Sequence, residues 1–204
     1  MKLDISSYPA FYINLDDDLN RKESTQKILK KLFKSVNRIA AYKGYRRPTD
    51  GQADLAEQQA RSFHKAVTQT KTPFIVFEDD IAIHQYKGII EVPDDADAVY
   101  LGGSFWGRPD GISKHITTDI PGIVKCLTMS SMHAVLFLNQ NLVNEYAKRL
   151  FAKQGICDAV LCDMIIEGNY NFYAVQPVMF YQNSALGGQE KLTKINDYVL
   201  RTSF

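Results

Sequence analysis

A short apolar run that ends in three carboxylates constrains the fold of this chain more than any other feature. The four residues Phe74–Phe77 are all apolar, and Glu78, Asp79 and Asp80 follow them directly. A run of this length with no polar face is typical of a strand that is covered on both sides, as in an α/β sheet. We therefore expect a buried strand over residues 72–77, with the three carboxylates at its C-terminal end.

The position of these carboxylates indicates a cation site. In open α/β sheets, ligands bind outside the carboxyl ends of the strands. Three acidic groups at such an end repel one another, and a cation between them would offset that repulsion. Carboxylate oxygens suit Mg²⁺ or Mn²⁺, which proteins usually share with a phosphate group. An ordinary acidic turn after a strand is the alternative interpretation.

The first part of the chain alternates between strand-like and helix-like patterns. Strands are predicted over residues 11–15, 36–41 and 72–77, and helices over 21–33 and 53–68. In an alternating βαβαβ segment the strands are parallel and the helices cross over the sheet. We therefore predict an α/β fold with a mostly parallel central sheet flanked by helices.

The rest of the chain adds further strands and helices. Strands are predicted over residues 97–101, 123–127, 133–138 and 172–175, helices over 139–153 and 158–167, and irregular structure over 104–121 and 177–188. Asn139 is a suitable N-cap for the first of these helices, and Gly168 follows the second. Because no linker interrupts the chain, we expect one domain over residues 1–204.

Composition and charge exclude several classes of protein. Hydrophobic residues make up 45% of the chain, charged residues 23%, and the net charge is +1, so nothing points to general nucleic-acid binding. No segment approaches the roughly 18 apolar residues of a transmembrane helix, and no membrane span is expected. The three cysteines form neither a disulfide framework nor a paired zinc spacing. They indicate a reducing compartment, and we expect a cytoplasmic location.

Four stretches together carry a family resemblance. They are Tyr12-Ile13-Asn14-Leu15 followed by Arg21, then Asn37–Ala41, then Ser62-Phe63-His64 before the acidic strand end, and finally Val175-Gln176-Pro177 through Gln182. In this order and spacing, over roughly residues 10–185, the chain resembles the lipopolysaccharide-type (family 25) glycosyltransferases. It departs from the family pattern where Phe63 separates Ser62 from His64.

The resemblance implies a GT-A fold, a single Rossmann-like domain that binds a nucleotide sugar (here a UDP-sugar) through Mn²⁺ or Mg²⁺. Glu78-Asp79-Asp80 would be the DXD motif of such an enzyme. The chain is also similar to chlorella-virus glycosyltransferases that decorate a capsid glycan. That similarity implies transfer of a hexose or deoxyhexose to a glycan or glycoprotein acceptor, by a domain of a longer polypeptide in the host cytoplasm.

The resemblance also assigns roles within the acidic motif. Asp80 is expected to bind the metal ion, since it is the last acidic residue of the motif. Glu78 is the second candidate metal ligand, and it is also placed to reach a ribose or to hold the motif. Asp79 is expected to point into the structure. Alternation along an extended strand puts Glu78 and Asp80 on the same side. A solvated carboxylate at a strand end is the alternative for Asp80.

The nucleotide of the donor is expected above the ends of the first strands. The residues that border this place are Asn14, Leu15, Arg21, Ala41 and Tyr42. Tyr42 is a candidate for stacking on the base, and a half-buried aromatic beside a loop is the alternative. Arg21 is a candidate for pairing with phosphate, with a surface arginine at a helix start as the alternative.

The acceptor side has four candidate residues. An inverting transfer needs a base for the acceptor hydroxyl, and Asp158 at a predicted helix start is favoured over Asp163. For both, a capping or surface carboxylate is the alternative. Trp106, the only tryptophan, and His133 are the candidates for contact with the acceptor sugar. A buried loop anchor and a structural histidine are the alternatives for these two.

Two other functions fit the same residues. One is a metal-dependent phosphohydrolase or nucleotidyltransferase, which also uses carboxylates at a strand end. An aspartyl-phosphate enzyme of that kind needs Asp where this chain has Glu78. The other is a non-catalytic module that binds a nucleotide sugar.

Overall fold

The computed structural model describes residues 1–43, 51–104, 114–152 and 155–186, and it has a mixed α/β fold. Its strands are β1 Lys2–Asp4, β2 Ala10–Asn14, β3 Val36–Ala40, β4 Phe74–Phe77, β5 Ile81–Ile83, β6 Ile89–Glu91, β7 Ala98–Ser104, β8 His115–Thr117, β9 Ile123–Cys126, β10 Ser130–Phe137, β11 Phe172–Val175 and β12 Phe180–Gln182. Its α-helices are α1 Leu19–Leu32, α2 Gly51–Val67, α3 Gln140–Phe151 and α4 Cys157–Glu167.

Eight strands form one mixed sheet in the order β3-β2-β4-β10-β7-β11-β9-β8. The pairs β2–β3, β2–β4 and β7–β11 are parallel, and the other four pairs are antiparallel. The prediction of a mostly parallel sheet is therefore corrected to a mixed one. Parallel neighbours need a long crossover, usually a helix. Helices do connect β2 to β3 and β3 to β4, but between β7 and β10 the described residues contain none.

The sheet is covered on both faces, as the apolar run predicts. Phe74 and Val76 of β4 pack on the side of α2, α3 and α4, whereas Ile75 and Phe77 pack on the side of α1. All four of these β4 side chains are completely buried. A strand buried on both faces has no polar positions, which accounts for the continuous apolar sequence. None of the helices in the described ranges is both long and apolar enough to cross a bilayer.

The predicted helix ends in the C-terminal half are confirmed. Asn139 is the N-cap of α3, and its side chain accepts a hydrogen bond from the Asn141 backbone N–H at 2.8 Å. The helix α4 ends at Gly168, which has a φ of +72° and so adopts the left-handed conformation that glycine tolerates. The predicted inward residues of α3 are all buried: Leu142, Val143, Tyr146 and Leu150.

Two small sheets were not predicted. The strands β1 and β6 pair antiparallel, and so do β5 and β12, although residues 177–188 were expected to be irregular. Strands of three residues are too short to show a period-two pattern. The β5–β12 pair places Gln182 opposite Ile81, directly after the acidic residues.

Candidate functional site

The carboxyl ends of β2 and β4 and the residue after β3 border a cavity of about 260 Å³, here called the acidic cavity. The three strands are parallel neighbours, so their ends meet at one edge of the sheet. Eight residues were predicted around the donor and its metal ion, five beside the nucleotide and three in the acidic motif. Seven of them line the acidic cavity: Asn14, Leu15, Arg21, Ala41, Glu78, Asp79 and Asp80. The edge of the sheet where ligands are expected therefore carries nearly all of the residues predicted for the donor side.

Asp79 is held by side chains from two other elements. Asn14 Nδ2 donates to Asp79 Oδ2 at 2.7 Å, and Arg21 Nη1 donates to Asp79 Oδ1 at 3.0 Å. The Thr25 hydroxyl donates to the Asp79 backbone carbonyl at 2.6 Å. Both carboxylate oxygens of Asp79 are thus bonded within the protein, while the residue lines the acidic cavity. Arg21, predicted to pair with phosphate, forms an ion pair with this carboxylate and longer ones with Asp18 and Asp80, at 3.4 and 3.6 Å.

Glu78 contacts a buried histidine. Its Oε2 lies 2.8 Å from Nδ1 of His133, and Gln182 forms a second hydrogen bond to the carboxylate. Burial alone would raise the pKa of Glu78, but the hydrogen bond and charge of His133 outweigh it and leave the pKa below its usual value. Glu78 is thus held as an anion in the wall of the acidic cavity, on the same side as Asp80, which lines that cavity too.

Asp80 is the carboxylate of the motif that lacks a full set of partners. The residue is 5% exposed, and its Oδ1 is buried without a hydrogen bond. Its Oδ2 lies 3.6 Å from Arg21 Nη1. Burial, and then the negative charge of Glu78, raise the pKa of Asp80 to about 6 in spite of the nearby arginine. Burial and the neighbouring negative charge destabilise the ionised form of this carboxylate. Uptake of a proton or binding of a cation would remove that cost.

The donor set can hold a divalent cation only with help from a ligand. Across the described ranges, no group of three or more His, Cys, Asp or Glu side chains is arranged to hold a metal ion. Asp79 and Glu78 are engaged by protein partners, which leaves Asp80, whose buried Oδ1 has no hydrogen bond, as the carboxylate of the motif with unused acceptor capacity. Mg²⁺ is commonly bound by one or two carboxylates together with substrate phosphates. The residues present fit such a shared site.

Tyr42 lies in a neighbouring cavity of about 790 Å³, not in the acidic cavity. The two cavities share Ala41 and Ser62 in their walls. The Ser62 hydroxyl accepts a hydrogen bond from the Tyr42 backbone N–H at 2.8 Å. The Arg61 guanidinium lies 4.6 Å from the centre of the Tyr42 ring and covers one of its faces. A nucleotide base could therefore stack only on the other face.

The two predicted bases lie on α4, outside the acidic cavity. Asp158 is in the first turn of the helix, as predicted, and each of its oxygens accepts a backbone hydrogen bond. The donors are Ser131 at 3.2 Å and Ala159 at 2.8 Å. Asp163 is half-buried further along the helix. Neither carboxylate is among the described residues that line the acidic cavity.

The acceptor predictions have different outcomes. Trp106 lies outside the described residues. His133 is 1% exposed and lies against Glu78. His133 therefore contacts the acidic motif on the donor side of the site, and it is too buried to form an open surface for an acceptor sugar.

Three residues that shape the site have no predicted role. Arg38 Nε donates to Asn14 Oδ1 at 3.0 Å, Gln182 bonds to Glu78, and the Ser62 hydroxyl holds Tyr42. Arg38 had no local signal, because an arginine on an edge strand is usually solvated. All three residues do lie in stretches that carry the family resemblance, and this was the available signal.

Comparison of the sequence with protein-family models and with curated proteins finds no match. The function of this chain is therefore inferred from the residues of the site.

Proposed function

We propose that this chain is a metal-dependent glycosyltransferase that moves a sugar from a UDP-sugar to a glycan or glycoprotein acceptor. The observation that carries the proposal is the state of Asp80. Its carboxylate is buried at the carboxyl end of a central strand, and its Oδ1 has no hydrogen-bond partner. Asp80 lines the acidic cavity together with three other acidic residues, which are Asp18, Glu78 and Asp79. A divalent cation shared with a diphosphate would supply the missing charge.

Each residue of the cavity has a part in this proposal. A bound Mn²⁺ or Mg²⁺ would stabilise the charge of the departing diphosphate as a Lewis acid. Asp80 would hold the ion through Oδ1. Arg21 and Asn14 donate hydrogen bonds to the two carboxylate oxygens of Asp79, so this carboxylate has less acceptor capacity left for an ion than Asp80 has. Glu78, fixed by His133, forms the wall beside it.

A GT-A fold is part of the same proposal. Its support is the parallel unit β3-β2-β4, which has α1 on one face and α2 on the other. Ligands bind at the carboxyl edge of such units, where the acidic cavity lies. The antiparallel strands in the second half of the sheet extend this unit on the side of β4.

A second function is favoured by one observation. Asp79 and Glu78 are already satisfied by Asn14, Arg21 and His133, so two of the three carboxylates need no ion. A module that binds a nucleotide sugar without transferring it fits this arrangement. The phosphohydrolase alternative is weaker, because Glu78 occupies the position of the nucleophile and is engaged by His133.

Calorimetric titration with UDP-, GDP- and dTDP-sugars, with and without Mn²⁺, tests the proposal. We expect UDP-sugar binding that requires Mn²⁺ and slow hydrolysis of the bound donor. Binding that is independent of metal and without hydrolysis would favour the module. Hydrolysis of simple phosphate esters, without UDP-sugar binding, would favour the phosphohydrolase.

A further inference from the structure

The strand β10 contains a bulge next to the acidic motif. Its pairing with β7 shifts register between Ser130 and Ala134. Within the bulge, Ser131 has a φ of +66° and is the one non-glycine residue with positive φ in the described part of the chain. Residues other than glycine are strained in this left-handed region, and such strain persists only where surrounding contacts impose it. Bulges of this kind often re-aim a side chain next to an active site.

The N-terminus of α4 fixes one side of the bulge. Asp158 Oδ2 accepts a hydrogen bond from the backbone N–H of Ser131 itself, the strained residue, at 3.2 Å. The residue before Asp158 takes part as well, because the Cys157 carbonyl accepts a hydrogen bond from the Tyr146 hydroxyl of α3 at 3.0 Å. The same hydroxyl lies 3.3 Å from Sδ of Met132, the residue after Ser131. Two successive residues of the bulge are therefore tied to α3 and α4.

The acidic motif lies against the other side of the bulge. His133, two residues after Ser131, places Nδ1 at 2.8 Å from Glu78 Oε2. The Glu78 backbone N–H donates to the His133 carbonyl at 3.2 Å. The orientation of Glu78 thus depends on His133, and the orientation of His133 depends on the path of the backbone through Ser131.

We propose that Asp158 is a positioning residue that holds the β10 bulge and, through Ser131 and His133, the acidic motif. Both of its carboxylate oxygens already accept backbone hydrogen bonds, one of them from the strained residue. In this proposal Asp158 acts on metal and donor binding, and the general-base role predicted for it is the alternative that the experiment separates. The consequence for transfer rests on the proposed glycosyltransferase function, whereas the consequence for His133 does not.

Three variants test this role: Asp158→Ala, Asp158→Asn and Ser131→Gly. Removal of the carboxylate in Asp158→Ala should shift the imidazole NMR signal of His133, assigned with His133→Gln. It should also weaken Mn²⁺-dependent UDP binding by about tenfold, the low end of the range for outer-shell partners of a metal site, because Glu78 forms the cavity wall beside Asp80. In Asp158→Asn the amide oxygen still accepts a hydrogen bond, and this variant should stay closer to the wild type in both measurements.

Ser131→Gly provides the internal control. Glycine adopts a positive φ without strain, so the bulge should persist without help from Asp158. The double variant Ser131→Gly with Asp158→Ala should therefore recover the His133 signal that Asp158→Ala alone displaces. It also keeps the test decisive if Asp158→Ala by itself does not fold. Asp163→Ala, on the same helix, should leave the His133 signal in place.

Two results would overturn the proposal. One is a His133 signal that stays at its wild-type position in Asp158→Ala. The other is a loss of transfer in Asp158→Asn as complete as in Asp158→Ala, with UDP and Mn²⁺ affinities unchanged, which is the behaviour of a general base. If the wild type binds no nucleotide sugar, the proposed function fails, and the His133 signal alone still decides the positioning role.

Discussion

Asn14 and Asp79 are 65 positions apart in the sequence, and their side chains share a hydrogen bond of 2.7 Å. The same amide of Asn14 donates to the Asp18 carbonyl at 3.1 Å, and its oxygen accepts from Arg38 at 3.0 Å. Asn14 is 1% exposed. One buried amide thus connects the end of β2 with the acidic motif, the start of α1 and the edge strand β3.

Replacement of this amide should destabilise the fold. We expect Asn14→Ala to lower the free energy of unfolding by about 2 kcal/mol or more, because it leaves partners such as Asp79 without a hydrogen bond in a buried place. Urea denaturation measures the change. Asn37→Ala is the control. The Asn37 side chain is exposed on β3 and donates to the Ser35 hydroxyl at 3.2 Å, so a change within about 0.5 kcal/mol is expected. Equal effects of the two substitutions would contradict the connecting role of Asn14.

The acidic site was largely predictable because its key residues lie next to each other and to a strand end. The apolar run Phe74–Phe77 predicts a buried strand, and the position of Glu78–Asp80 then follows from the rule for ligand sites in α/β sheets. The caps Asn139 and Gly168 were predictable for a similar reason, since a helix end depends on one or two local residues.

The remaining features depend on pairings between distant segments, which local patterns do not encode. The strand β10 was predicted as a strand, but its antiparallel place between β4 and β7 was not. That place brings His133 to Glu78, 55 positions away. The contact of Gln182 with Glu78 depends likewise on β12, a strand too short to show a period. The partners of the acidic motif were therefore the part of the site that sequence patterns could not supply.

A second prediction concerns the close approach of β12 to β7. A Cβ atom on Gly102 would lie 2.6 Å from the Phe180 carbonyl oxygen, a backbone atom that cannot rotate away. We expect Gly102→Ala to cost about 2 kcal/mol of stability, as overpacking of a core usually does. The nearest atom to a Cβ on Gly88 is 3.8 Å away, in the Tyr86 side chain, so Gly88→Ala is the matched control in thermal unfolding. A Gly102→Ala protein as stable as Gly88→Ala would show that β12 is free to move.

A third prediction tests the metal site. Asp80→Ala should abolish Mn²⁺-dependent binding of UDP-sugar in calorimetric titration, because it removes the available oxygen of the acidic motif. The circular dichroism spectrum should remain that of the wild type. Glu91→Ala, which alters an exposed carboxylate on β6, should leave binding unchanged. Undiminished Mn²⁺-dependent affinity in Asp80→Ala would remove Asp80 from the metal site.

The last prediction is the pH dependence of stability in the metal-free protein. The pKa of Asp80 is about 6 in the folded state, compared with an ordinary value of 3.8. The folded state therefore binds this proton more tightly than the unfolded state does. The contribution of Asp80 to stability is therefore highest while its carboxyl group is protonated, falls as the pH rises from about 4 to about 6, and stays low above that range. The gap between the two pKa values corresponds to a fall of about 3 kcal/mol in the free energy of unfolding.

Asp80→Asn removes this titration and keeps the size of the side chain. In the presence of EDTA, the variant and the wild type should have similar free energies of unfolding near pH 4. At pH 7 to 8 the variant should be the more stable of the two by up to about 3 kcal/mol. Urea denaturation across this range measures the difference, and Glu23→Gln, at an exposed position of α1, serves as the control. A difference that does not change with pH would mean that Asp80 is not a strained carboxylate. Mn²⁺ and UDP should also stabilise the wild type at pH 7 but not Asp80→Asn. That result would show that the cation offsets the destabilising charge of Asp80.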